Sequence, residues 1–193
     1  MSVFYRFLFG LFILVGISGL PLAMTGPASA QSPQFDLLQA IDNEDLQKVT
    51  DLLSKGVSAN TRQRSSGKPA LIIAAEKGNM AMVEKLLEYR ASPNVADPER
   101  GTTALMLRAI AGDVEMINLL VTKGADLNKA DVGLETALIK AVRARKFSAV
   151  RALLDAGADP NVQDLTGKTA LEYARLNRNR RVQRLLEEAG ATY

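Results

Sequence analysis

The chain of 193 residues contains no cysteine, no histidine and no tryptophan. Without cysteine there is no disulfide framework and no thiolate nucleophile, and without histidine no imidazole base, so cysteine-dependent and serine–histidine catalysis are both excluded. A zinc site of ordinary ligand type is excluded on the same grounds. Phosphate-loop chemistry fails on spacing: Gly167-Lys168-Thr169 resembles the end of such a loop, but Val162 stands where the first glycine is needed. Asp126, Asn128 and Asp131, and again Asp159, Asn161 and Asp164, have a calcium-like spacing without the glycine that a calcium loop requires. They read instead as side chains that hold loop backbone. Glu84, Glu88, Asp113 and Glu115 read as a solvated helix face rather than an acid/base pair. No catalytic, cofactor or metal residues are assigned, and the chain is expected not to be an enzyme.

What is present begins with Met1 to Ala30. Arg6 precedes an apolar run from Phe7 to Leu20; Pro21, Gly26 and Pro27 interrupt it, and Ala28-Ser29-Ala30 supplies a small-residue site. This pattern predicts a secretory signal peptide cleaved after Ala30, leaving 163 residues. The rival reading is an uncleaved N-terminal anchor, since Ser18 alone interrupts apolarity from Phe7 to Met24 apart from glycine and proline. Lipoprotein processing needs a cysteine and is excluded. No Asn-Xaa-Ser/Thr sequon occurs, so nothing indicates a glycosylated ectodomain, and the expected compartment is a bacterial periplasm.

The rest of the chain is periodic. Pro69-Ala70-Leu71, Thr103-Ala104-Leu105, Thr136-Ala137-Leu138 and Thr169-Ala170-Leu171 recur at spacings of 34, 33 and 33, and Asn60, Asn94, Asn128 and Asn161 at 34, 34 and 33. Each copy passes from an apolar stretch to a leucine-rich one (Leu86-Leu87, Leu120-Val121, Leu153-Leu154, Leu185-Leu186) and closes in a turn. Repeats of this period predict a solenoid of stacked helix pairs, neither helix being long enough to stand alone in water. Thr103, Thr136 and Thr169 read as N-caps of first helices. Gly56, Gly124, Gly157 and Gly190 read as left-handed ends of second helices, with Arg90 in the same series. In the first copy Leu37, Ala40, Ile41, Leu46, Val49, Leu52 and Leu53 form the expected inward face.

Gly101-Thr102-Thr103-Ala104-Leu105 and Gly157-Ala158-Asp159-Pro160-Asn161 resemble the ankyrin repeat, and the resemblance extends from about Phe35 to Ala191. It implies an all-α ankyrin-repeat solenoid of helix-turn-helix pairs joined by β-hairpin-like loops. An N-terminal cap is expected at about 35–66, repeats at about 67–100, 101–132 and 133–166, and a C-terminal cap at about 167–193. Ala70, Ala104, Ala137 and Ala170 replace the family's proline, and Ile72, Met106, Ile139 and Glu172 its histidine, so the family's threonine–histidine hydrogen bonds are missing. The resemblance further implies a protein partner bound by the hairpin tips and the concave first helices. By matching position these are Lys68, Thr102, Glu135 and Lys168, then Glu76, Lys77, Ile110, Ala111, Arg143, Ala144, Leu176 and Asn177. Ile110 and Leu176 are apolar at nominally exposed positions, and Glu76 and Arg143 hold the position of Ile110 in the adjacent copies.

Charge is uneven. Lys140 to Arg184 carries 11 basic and 4 acidic residues, whereas Gln31 to Ile139 carries 12 basic and 15 acidic. Arg175, Arg178, Arg180, Arg181 and Arg184 form a candidate anion-binding group, with the polar outer face required of a terminal repeat as the competing reading. The expected function is therefore an exported interaction module that binds a periplasmic protein, inhibition of an enzyme or toxin being one form of it. The alternative is a peripheral module that binds an anionic membrane through the basic C-terminal end. The chain is expected to be a monomer, with no nucleic-acid partner and no cofactor.

Overall fold

The computed structural model describes residues 32–192, and the segment read as a signal peptide lies outside them. Among the described residues ten helices follow in five pairs: α1 (Pro33–Asp42) with α2 (Leu46–Ser54), α3 (Ala70–Lys77) with α4 (Met80–Glu88), and α5 (Ala104–Ala111) with α6 (Val114–Thr122). Then come α7 (Ala137–Arg143) with α8 (Phe147–Asp155) and α9 (Ala170–Leu176) with α10 (Arg180–Glu188).

The threonine caps form as expected. Thr103, Thr136 and Thr169 adopt extended backbone, and their side chains accept from the amides of Met106, Ile139 and Glu172 at 3.3, 3.4 and 3.4 Å. All three are buried, so the bond also satisfies a hydroxyl that water cannot reach. At Thr169 the cap is reciprocal: Glu172 accepts the Thr169 amide at 2.7 Å. Ile72, Met106 and Ile139 are buried in the core, which explains how apolar side chains replace the family's histidine at those three copies. At the other end of each pair Gly56, Gly124, Gly157 and Gly190 have positive φ, and Arg90 holds the same conformation at φ 64°. A second left-handed series closes the first helices, at Glu44, Gly78, Gly112, Arg145 and Arg178. Sequence reasoning missed this series because only two of its five members are glycine.

The pairs stack through both of their helices. First helices contact in the order α1, α3, α5, α7, α9, while α2 packs on α4, α6 on α8 and α8 on α10. One continuous core runs the length of the stack, from Leu37 and Ile41 through Leu71, Leu105 and Leu138 to Leu171 and Leu186. In the first pair Leu37, Ala40, Ile41, Val49 and Leu53 are buried as expected, Leu46 and Leu52 pack at its margin, and Leu38 is an additional core residue.

The periodic asparagines link neighbouring copies. Asn60 donates to the Arg90 carbonyl at 3.0 Å and accepts from the Ser92 amide at 2.9 Å. Asn94 does the same to Gly124 and Asp126, at 3.2 and 2.7 Å. Asn128 accepts from the Asp159 amide, and Asn161 bonds Gly190 and Thr192. Each asparagine thus ties its own turn to the turn one repeat further on.

Candidate functional site

Four loops connect the pairs, and an aspartate organises each of the last three. Asp97 accepts the amides of Glu99, Arg100 and Thr102; Asp131 those of Gly133 and Glu135; Asp164 those of Thr166 and Lys168. Asp126 and Asp159 likewise accept the amides of Asn128 and Asn161, the backbone-holding role read for this spacing. The first two loops close with an antiparallel bridge, Arg62 to Pro69 and Ala96 to Thr103. The tips also bond one another: the Val132 amide donates to the Arg100 carbonyl and the Leu165 amide to the Gly133 carbonyl, each at 3.0 Å. Gly101, at φ 71°, permits this approach, because a Cβ there would lie 3.2 Å from the Val132 nitrogen. The last three tips therefore form one connected ridge.

Most of the charged residues expected to face a partner are already paired within the chain. Lys68 bonds both carboxylate oxygens of Glu76, at 2.8 and 2.9 Å. Glu135 contacts Lys140 at 2.8 Å and also Arg143, while Lys140 reaches Asp131 at 2.6 Å. Arg143 lies 5.3 Å from the Tyr173 ring centre, and the Tyr173 hydroxyl donates to Asp164 at 2.5 Å. Burial works to raise the Asp164 pKa, but bonds from Tyr173, Thr166 and two backbone amides outweigh it and hold the group at about 2. Glu135, Arg143 and Asp164 are consequently parts of one polar network with Asp131, already read as a loop-holding residue, and with Lys140 and Tyr173, which sequence reasoning did not single out. Lys168 donates to Thr166 at 3.1 Å, the Thr102 amide is held by Asp97, and Asn177 donates to the Val142 carbonyl at 3.2 Å. Lys77 and Ala111 are exposed at the ends of α3 and α5, and Ala144 is half-buried after α7.

The apolar residues differ. Ile110 is 43% exposed and Leu176 64%, as their positions suggested, and three tip residues join them: Val132 at 64%, Leu134 at 46% and Leu165 at 68%. Leu134 has φ 55°, and the corresponding residues of the other loops, Gly67, Gly101 and Gly167, share its positive φ. A leucine here is strained, whereas glycine is not. The break in that glycine column was visible in the sequence, and it was the signal that could have located the tip residues.

The five arginines of the basic run do not converge as a set, although Arg181 and Arg184 line one cavity. Arg175 ends α9 and lies 4.0 Å from Glu187, Arg178 sits in the left-handed turn, and Arg181 stacks on Phe147 with its guanidinium carbon 3.6 Å from the ring centre. Arg180 and Arg184 are exposed on α10. A helix turning about 100° per residue spreads a sequence run over several faces.

Helix pairs of this length, stacked through both helices and joined by bonded loops, define a helical-repeat solenoid. Residues 37–131 match the family model for ankyrin repeats (3 copies), and residues 120–174 that for ankyrin repeats (many copies). The chain belongs to the ankyrin-repeat proteins. A search of curated proteins finds no match to it. Ankyrin repeats are in general protein-interaction modules and typically non-enzymatic.

Proposed function

We propose that this chain is an exported interaction module whose partner, a periplasmic protein, docks on the ridge of hairpin tips and the concave face of the first helices. The observation that carries this reading is the set of exposed apolar residues Ile110, Val132, Leu134, Leu165 and Leu176 on those elements. Leu134 carries particular weight, because a strained left-handed leucine on an exposed tip is conformationally unfavourable and adds nothing to the core. The bonds between tips support it further, since a ridge that is already ordered loses little entropy on binding. Lys68, Glu76, Lys77, Thr102, Glu135, Arg143 and Lys168 act here as a polar rim, with most of their charge internally balanced.

Export rests on the apolar run before Ala30, and α1 begins at Pro33, capped by Ser32, directly after the proposed cleavage site. N-terminal sequencing of the secreted protein tests this, and a chain that still starts at Met1 refutes cleavage. For binding, wild type and Ile110→Asp are compared as baits in a periplasmic extract. A protein retained by wild type should lose at least about tenfold in affinity with Ile110→Asp at unchanged thermal midpoint. Unchanged affinity would remove Ile110 from the interface. Arg143→Glu is unsuitable as a companion substitution, because it would set a second carboxylate against Glu135.

A further inference from the structure

The outer face carries a second charged feature, built on the second helices of the last two pairs. Phe147, at the start of α8, is half-buried, and two guanidinium groups lie against its ring: that of Arg181 at 3.6 Å and that of Arg151 at 5.3 Å from the centre. Arg184 stands 33 residues after Arg151, so the stacking of α8 on α10 brings the same repeat position, and the same charge, together. In earlier copies that position holds Glu84 and Asn118. Among the described residues none of these three arginines forms an ion pair, although the carboxylates of Asp155 and Glu188 line the same surface.

A groove passes over this cluster. One cavity of about 780 Å³ lies between α6 and α8, another of about 350 Å³ between α8 and α10, and both are lined by Phe147, Arg151 and Arg181. Together they are far larger than a single small anion and extend across three helices. Stacking on the ring fixes the plane of the Arg181 guanidinium and leaves its edge donors free, the geometry that receives a carboxylate through two parallel bonds.

We propose that this groove is a docking site for an acidic segment of a partner protein, its carboxylates on Arg151, Arg181 and Arg184 and an apolar side chain beside Phe147. Charge complementarity selects the occupant. Residues 1–31 of this chain contain Arg6 and no carboxylate, so they do not fit. The site is separate from the hairpin ridge, and a partner that reached both would gain affinity from the linkage.

Fluorescence anisotropy of a labelled oligoglutamate peptide with the full mature chain tests the proposal. The double variant Arg151→Gln/Arg184→Gln should weaken binding at least about tenfold, while Arg180→Gln, with the charge removed one residue away from Arg181, and Ile110→Asp should change it less than about twofold. If circular dichroism shows the double variant misfolded, Arg184→Glu alone, at an exposed residue, must give a clear loss. Equal weakening by Arg180→Gln would overturn the site in favour of net charge. Binding to phosphatidylglycerol vesicles through these arginines without peptide binding would overturn it in favour of a membrane. Dimerisation in sedimentation that the same variants abolish would overturn it in favour of a second copy.

Discussion

Of the five non-glycine residues in left-handed conformation, Arg90 and Leu134 each stand alone in a series otherwise held by glycine, and they differ in what they offer in return. Arg90, at φ 64°, gives no visible compensation, so Arg90→Gly should raise stability by about 0.5–1 kcal/mol, read as a higher urea midpoint. Leu134→Gly should raise it by a similar amount, roughly 0.5–1 kcal/mol, because its side chain lies outside the core. The two should part on function, only Leu134→Gly weakening the captured partner. Asp164 responds to acid. Its folded pKa, about 2, lies below the usual carboxylate range, so its contribution is complete above pH 4 and disappears as pH falls toward 2. A shift of that size corresponds to about 2 kcal/mol. Urea midpoints of wild type and Asp164→Asn should therefore differ at pH 5 and converge near pH 2; a gap that persists at low pH would assign the effect to shape instead of charge.

Among the elements, second helices are capped by a rule with one exception. Asp45, Asn79, Asp113 and Asn179 accept an amide of the first turn, whereas Lys146, before α8, makes no side-chain cap. Lys146→Asn should therefore stabilise the protein by about 1 kcal/mol, less whatever is lost where the lysine stem crosses Gly112. An unchanged or lower thermal midpoint would mean that this crossing outweighs the cap. First-helix caps were legible in the sequence because threonine recurs in register before Ala-Leu. The left-handed turns after the first helices were not legible, since glutamate and arginine carry no glycine signal.

For the molecule as a whole, stability is distributed between neighbours, and the asparagine series is the visible link. Asn94→Ala removes two bonds to the next turn, and because the site is exposed, water replaces part of them. The expected loss is about 1–2 kcal/mol. Because the core is continuous, unfolding should remain a single transition with a lower midpoint. Two separated transitions would show that the asparagine, rather than the core, couples the halves.

Period, the threonine caps of the first helices and most of the inward face of the first pair were determined by the sequence itself, because a repeat near 33 residues with alternating apolar stretches permits few folds other than stacked helix pairs. The absence of histidine and cysteine likewise limited the chemistry before any coordinate was known. Only tertiary structure decided which charges remain available. Lys68 finds Glu76 eight residues away and Glu135 finds Arg143, whereas Arg151 and Arg184 line one cavity between α8 and α10 and form no ion pair among the described residues. Pairing depends on distances between elements, and a one-dimensional pattern fixes the register of those elements but not the reach of their side chains.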